Sequence, residues 1–330
     1  MIDKGNEQLT ATVILPTHGD RAAVLDYSIP SILRQTVKDL ELIVIGDGVS
    51  EETRACLHGY VAADSRVEFV DKPKHKRRGE PYRHEVLKRA RGRIVCYLCD
   101  RDMMLEDHVE HMAKLLERHD FAHSARVSVR KEDQFRVLRY LDLSEPDDAK
   151  VLKRARIRGA GIPLSFAAHT LDAYHRLTTG WHTTPIGYLT DGAMWWKFLR
   201  NSKCRAISDN EYLTIIYLPR YPKAAWPTQR RAGEMKRWHE RMKGPGWRAD
   251  LERQLEVLRQ VHRKSRSQKP VPRPVTRFVD DLELTRLYWR RKHLHYIRPY
   301  SSKLFGRYFD RYWRRYVEKF IRPVISKLKR

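Results

Sequence analysis

An alternation running from the start of the chain to about residue 120 limits the folds open to it more than any other feature. Short apolar runs, each closed by a polar cluster, take turns with segments of helical period. Ala11–Pro16 is the first such run, with Thr17-His18-Gly19-Asp20 as the loop at its carboxyl end. Residues 22–35 follow with Val24, Ile29, Ile32 and Leu33 at helical spacing, and Pro30 is expected to kink this helix or start its second part. Leu40–Ile45 is a second strand ending in Gly46-Asp47-Gly48, Val67–Val70 a third, and Arg93–Leu98 a fourth that ends at Asp100. Helices are expected over 51–62, 80–91 and 106–119. Strands that alternate with helices predict an α/β fold on a largely parallel sheet. Ligands of such sheets sit outside the carboxyl ends of the strands. The clusters Thr17–Arg21, Gly46–Ser50 and Asp100–Asp102 all fall there, which is where a site is expected.

Beyond residue 124 the alternation loosens. Ala125–Leu141 reads as two strands with Lys131-Glu132-Asp133-Gln134 between them, residues 145–156 as helical, and Gly159-Ala160-Gly161 as a break before Pro163–His169. A helix is expected over 191–200, strand or extended chain over Ile207–Tyr217, and mostly helix over 232–262 with a break near Gly244-Pro245-Gly246. The divisions expected are 1–122, 123–225, a helical segment 226–264, a basic linker 265–280 and a basic aromatic helical tail 281–330.

The chain of 330 residues is long enough for a substantial core, and 32% charged residues point to strongly solvated surfaces on a folded body. No run reaches the ~20 apolar residues of a membrane-spanning helix. Met1–Thr10 lacks the apolar stretch of a signal peptide, so a cytoplasmic location is expected. Cys96 and Cys99 have zinc-like spacing, but they flank apolar Tyr97-Leu98 and no second pair follows; with Cys56 and Cys204 they read as reduced thiols. A net charge of +25 attracts nucleic acid, anionic lipid and anionic substrates alike.

Asp100-Arg101-Asp102 is the most informative short motif. Two carboxylates two residues apart, just past a strand, can hold a hard divalent ion together with diphosphate oxygens, and acidic loops that merely cap a helix are its common alternative. Asp47, between two glycines, is either an ordinary turn residue or a carboxylate that accepts from a nucleobase or ribose. Arg83 and the strip Lys72, Lys74, Lys76, Arg77 and Arg78 can meet phosphate or water.

The order of an apolar strand with Pro16-Thr17, then Asp47-Gly48, then Arg83, then Gly92-Arg93-Ile94-Val95 leading to Asp100-Arg101-Asp102, resembles inverting glycosyltransferase family 2, of the GT-A fold. The resemblance covers residues 10 to about 120 well and 160 to 220 more loosely. It implies a mixed, mostly parallel central sheet, a nucleotide-sugar donor half over 1–122 and an acceptor half over 123–225. It also implies transfer of a sugar from a nucleoside-diphosphate sugar to an acceptor hydroxyl, with Mn²⁺ or Mg²⁺ as cofactor. By resemblance Pro16, Thr17, Asp47, Arg83, Asp100 and Arg101 belong to the donor site, and Asp102 is the more direct metal ligand beside Asp100. Asp191, in Gly187-Tyr188-Leu189-Thr190-Asp191-Gly192, matches the catalytic base, with helix capping as the plainer role for it. Trp181, His182 and Trp195 are candidates for stacking on an acceptor sugar, and His182 or His169 for a third metal ligand. The chain departs from the family pattern at Gly46, His84 and Thr190, where two acidic residues and an asparagine are usual.

The segments Leu287–Lys292 and Tyr308–Ile321 interleave aromatics and cations at roughly helical spacing. They read as an amphipathic surface for the anionic cytoplasmic face of a membrane, for packing on the domain, for a homodimer, for nucleic-acid phosphates or for an acidic glycan. Acceptors in cell-envelope polysaccharide or glycolipid synthesis agree with the first. Two other functions compete. A nucleotidyltransferase would want a Gly-rich phosphate-cradling loop after the first strand, and Thr17-His18-Gly19-Asp20-Arg21 is a poor match. A non-catalytic nucleic-acid-binding protein fits the charge but leaves Asp47, Asp100, Asp102 and Asp191 without a role.

Overall fold

Leu9–Gly19 forms the first strand, β1, and Leu40–Val49 the second, β2; Ala11–Leu15 and Leu40–Val44 are buried along their whole length. Runs without polar alternation suit only a strand covered on both faces, and helices supply that cover. The computed structural model describes residues 8–124, 162–186, 188–209, 214–218 and 226–267, with short pieces at 127–129, 135–137, 142–144 and at 149. The chain divides into two units, Met1–His262 and Arg263–Arg330. The first is described below, and the tail read as amphipathic lies outside the described residues.

In chain order the further strands are β3 Val67–Lys72, β4 Gly92–Tyr97, β5 Met103–Met104, β6 Phe121–His123, β7 Val127–Val129, β8 Phe135–Val137, β9 Ala167–Thr170, β10 Ala206–Ser208 and β11 Ile215–Ile216. The helices are α1 Ala22–Leu33, α2 Glu51–Ala63, α3 Glu80–Leu87, α4 His108–Leu115, α5 Leu171–His175, α6 Thr190–Arg200, α7 Thr228–Lys243 and α8 Trp247–Ser267. Seven strands form one sheet in the order β10-β6-β9-β4-β1-β2-β3. Its pairs are parallel except that β9 runs antiparallel to both β4 and β6. The sheet is therefore mixed and mostly parallel, as expected. Strand β4 sits beside β1, so Asp100 ends up next to Thr17 although 83 residues separate them.

Several boundaries move. β1 and β2 continue to pair beyond Thr17, with a register shift before Gly19, so Thr17–Gly19 and Gly46–Gly48 belong to the paired strands, bent where Gly19 and Gly48 take positive φ, and are not free loops. Helix α1 runs through Pro30 without interruption. Helix α3 stops at Leu87 because the chain must turn into β4, where Gly92 lies so close to β1 that a Cβ would sit 2.0 Å from the Thr12 nitrogen. The stretch Ile207–Tyr217 splits between β10 on the main sheet and β11, which pairs antiparallel with β5. The two strands expected within 125–141 are present as β7 and β8, paired antiparallel, and the residues between them lie outside the described ones. The helical reading of 145–156 and the Gly159–Gly161 break fall mainly outside the described residues.

Helices α7 and α8 close a second apolar cluster, in which Met235, Trp238, Leu251 and Leu255 meet Val24, Met103, Leu105 and Leu218. Helix α7 is also anchored to the end of β1, since Arg21 Nη1 donates to Thr228 Oγ1 at 2.9 Å. Helix α8 extends to Ser267, into the stretch read as linker. Among the described residues no helix is long and apolar enough to cross a membrane.

Candidate active site

The carboxyl ends of β1, β2 and β4, the segment before α3 and the start of α6 enclose a cavity of about 350 Å³. Pro16, Thr17, Asp47, Arg83, Asp100, Arg101 and Asp191 all line it. Seven of the eight positions expected in the donor site or as the base therefore meet in one place, and Asp102 is the exception. A larger cavity of about 710 Å³, lined by Arg34, Met104, His239 and Trp247, holds none of them.

Asp47 stands at the end of β2, buried to 4% exposure. The backbone nitrogen of His75 donates to its Oδ1 at 2.5 Å and Lys74 pairs with its Oδ2. Gly48 makes that grip possible. Its φ is +66°, and an added Cβ would stand 2.6 Å from Lys74 Cβ and 2.9 Å from Lys74 Cα. Gly48→Ala is expected to destabilise the fold by about 1–2 kcal/mol from backbone strain alone. It should also push Lys74 and His75 away from Asp47, seen as a lower melting temperature with weakened nucleotide binding.

Arg83 lies in the first turns of α3, almost wholly buried, with its guanidinium 4.8 Å from the Trp181 ring centroid. Its Nη2 donates to the Arg78 carbonyl at 3.1 Å. Burial lowers its affinity for the proton, and the charges of Asp191 and Glu80 oppose that.

Asp191 sits inside the first turn of α6, where Leu189 is the cap residue and no side chain caps the helix. Its Oδ2 accepts from the Leu164 nitrogen at 3.1 Å, so the carboxylate is turned across the cavity wall toward another segment and does not cap its own helix. Burial raises its pKa above the ordinary carboxylate value, with Arg83 and Arg78 opposing. A carboxylate poised in this way is suited to accept a proton.

The two aspartates of the Asp-x-Asp motif face different surroundings. Asp100 lines the cavity; its Oδ2 accepts from Thr17 Oγ1 at 3.2 Å and lies 3.3 Å from Arg21 Nε, while Arg101 Nη1 is 3.8 Å from Oδ1. Asp102 is fully buried, with Ser165 Oγ donating to Oδ2 at 2.6 Å and the Leu218 nitrogen to Oδ1 at 3.0 Å. Burial pushes its carboxyl up to about 6, against the pull of Arg101 and its two donors.

Two residues that shape the site, Glu80 and Ser165, carry no distinctive signal in the sequence, and a third, Arg21, lies in the cluster after β1. Glu80, with no exposed surface, accepts from the Arg78 nitrogen at 3.0 Å and, at 3.4 Å each, from the Thr184 nitrogen and Thr190 Oγ1. It thereby ties the basic loop to the start of α6. Arg21 and Ser165 orient Asp100 and Asp102. A glutamate directly after Gly79 at a helix start was the one local signal for Glu80, and it is indistinguishable from an ordinary first-turn acid.

The family model described as "Glycosyl transferase family 2" matches residues 12–177, half of the chain. The chain belongs to this family. A GalNAc(5)-diNAcBac-PP-undecaprenol beta-1,3-glucosyltransferase from Campylobacter jejuni is 32% identical over 94 residues, which is 28% of this chain and 30% of that protein. The crystal structure of S. aureus TarS 1-349 superimposes with a TM-score of 0.50 at 12% identity, covering 64% of this chain and 60% of that one. Mannosyltransferase PcManGT from Pyrobaculum calidifontis, in complex with GDP-Man and Mn²⁺, gives a TM-score of 0.47 at 18% identity over 66% of this chain and 60% of that one. The chain thus spans less than two thirds of each of these proteins. The TarS likeness is one of fold, and it agrees with the GT-A class expected.

Within the family frame, three of the expected residues lie in the core and a fourth stands at a separate cavity. Trp195 is core: its indole donates to the Ile162 carbonyl at 2.9 Å and packs against Tyr97, Phe121 and Trp181, leaving no face for a sugar. Trp181 is buried as well, donating to Tyr97 Oη at 3.1 Å, and it serves the cavity through Arg83. His182 is exposed but lines a separate cavity with His84 and Tyr174. His169 is fully buried, bonded to Tyr97 Oη at 2.8 Å and stacked on Phe198, and burial lowers its pKa to about 4.

The paired grip on Mn²⁺ or Mg²⁺ that the family implies does not fit these residues. Asp102 has no exposed surface and does not line the cavity, and Asp100 shares its oxygens with two guanidinium groups. Among the described residues no group of three His, Cys, Asp or Glu side chains is placed to hold a metal ion. A hard cation asks for several oxygens, and one such carboxylate is a thin offer.

Proposed function

We propose that the cavity is the donor site of a glycosyltransferase that moves a sugar from a nucleoside-diphosphate sugar to an acceptor hydroxyl with inversion. One observation carries the reading: Thr17, Asp47, Arg83, Asp100 and Asp191, far apart in sequence, line one cavity at the carboxyl ends of the strands. In it Asp47 and Thr17 meet the nucleoside. Each Asp47 oxygen keeps a lone pair beyond those used by His75 and Lys74, enough to accept from a base or ribose. The cations of the loop before α3 meet the diphosphate. Asp191 takes the proton from the acceptor hydroxyl as its oxygen bonds to the anomeric carbon, and the electron pair of the breaking bond passes to the diphosphate. The acceptor class that suits the partial match to the Campylobacter enzyme is a lipid-linked glycan of the cell envelope.

The test is calorimetric titration with UDP, GDP, dTDP, ADP and CDP. One of them should bind at least about tenfold (about 1.4 kcal/mol) more tightly than the others, and Asp47→Ala should erase most of that preference. Binding of all five no better than inorganic phosphate would remove the donor-site reading.

A further inference from the structure

We infer that the guanidinium groups of Arg77, Arg83 and Arg101 form a diphosphate-binding cluster that offsets the charge of the leaving group without a bound metal ion. The inference rests on the donor-site reading and goes further, by naming what holds the leaving group in place of the metal the family implies.

All three side chains line the same cavity. Their Nε atoms, and Nη1 of Arg83, are buried and have no hydrogen-bond partner. A buried donor left unmatched costs about what a lost hydrogen bond does, so such groups are rare unless something outside the chain supplies the acceptor. Here four of them belong to three cations whose side chains line one cavity. Arg83 carries the most weight because it is only 4% exposed and water cannot serve it freely. The few bonds these groups do make are single or long: Arg83 Nη2 on the Arg78 carbonyl at 3.1 Å, and Arg77 Nη2 at 3.5 Å from the carbonyls of Pro185 and Tyr188.

Charge points the same way. Lys74, Arg77, Arg78, Arg83 and Arg101 line the cavity against Asp47, Asp100 and Asp191, an excess that a dianionic group balances. The guanidinium fork matches phosphate oxygens in pairs, and several forks from different segments can follow the charge as it moves onto the diphosphate. The placement of Asp102, fully buried and outside the cavity lining, leaves that task to cations of the chain itself.

The experiment titrates the full-length protein with inorganic pyrophosphate and with the five nucleoside diphosphates, once in excess EDTA and once with Mn²⁺. Wild type, Arg77→Gln, Arg83→Gln, Arg101→Gln and the distant control Arg54→Gln are compared. In EDTA, wild type should bind pyrophosphate and its preferred nucleoside diphosphate within about threefold of the affinity seen with Mn²⁺. Each cavity variant should lose about tenfold, the scale of one charge-assisted hydrogen bond, and the control nothing. Binding that appears only with Mn²⁺ and ignores the arginine changes overturns the cluster and leaves the donor site standing. Arginine-dependent pyrophosphate binding in EDTA, with no nucleoside diphosphate tighter than pyrophosphate, keeps the cluster and overturns the donor reading. Arg77, half-buried on a loop, gives a variant that should fold even if Arg83→Gln does not, and the EDTA comparison on wild type needs no variant.

Discussion

Asp191→Asn is expected to lower turnover by about 10²–10⁴-fold, the range for loss of a general base, while the affinity for the preferred nucleoside diphosphate stays within about twofold of wild type. The asparagine keeps an oxygen for the Leu164 nitrogen, so the start of α6 should hold its place. Burial raises the Asp191 pKa, and the carboxylate acts as a base only when deprotonated. Activity of wild type should therefore fall as pH drops through a value above the ordinary carboxylate range, and the residual activity of the variant should lack that acid limb. Steady-state kcat/KM against pH, measured with the donor named by the binding panel, reads both effects. A variant with near-normal turnover would show that Asp191 only braces Leu164.

Asp102→Asn should make the protein more stable at neutral pH, and Asp102→Ala should make it less stable. The folded carboxyl holds its proton up to about pH 6, well above the ordinary value of 3.8. The folded state thus binds more protons than the unfolded chain between those values, and stability is lost as pH rises through them. Two pKa units correspond to roughly 3 kcal/mol, which ionising this buried group takes from the fold at pH 7. Asparagine removes the charge and keeps an acceptor for the Leu218 nitrogen. Alanine also removes the charge, but it strands the Ser165 hydroxyl and the Leu218 amide, about 1–3 kcal/mol for each buried group left unpaired. Chemical denaturation of wild type and both variants at pH 4, 5.5 and 7 separates the terms, because His108 and His169 titrate equally in all three. If Asp102→Asn were instead neutral in stability and abolished a Mn²⁺-dependent gain in nucleotide binding, Asp102 would be a metal ligand after all.

Much of the donor half was legible because its signals are local. The apolar runs at Ala11–Pro16 and Leu40–Ile45 are long enough to be strands and too uniformly apolar for an exposed sheet. Asp47, Arg83 and Asp100 follow such runs, or start a helix between them, and chain order alone sends them to one edge of a parallel sheet. Asp191 was legible only through resemblance, since an acid in the first turn of a helix has a common structural explanation.

The two aspartates of the motif were not separable in the sequence. Which of two residues in Asp100-Arg101-Asp102 faces the cavity depends on the turn before β5 and on Ser165 and Leu218, which arrive from far along the chain. The same holds for the tryptophans. Trp195 and Trp181 read as plausible sugar platforms because an indole is apolar and flat in either role, and only the packing of Trp195 on Tyr97 and Phe121, and of Trp181 on Tyr97 and Trp195, assigns them to the core.

By itself the sequence determined the α/β architecture, the edge of the sheet that carries the site and most residues at that edge, because periodicity and strand-end position are properties of neighbouring residues. The tertiary structure alone decided that Asp102 is buried, that Glu80 ties the basic loop to α6, and that three arginines lining the cavity carry unmatched donors. Those are matters of which distant groups satisfy one another once water is excluded, and no local pattern encodes them.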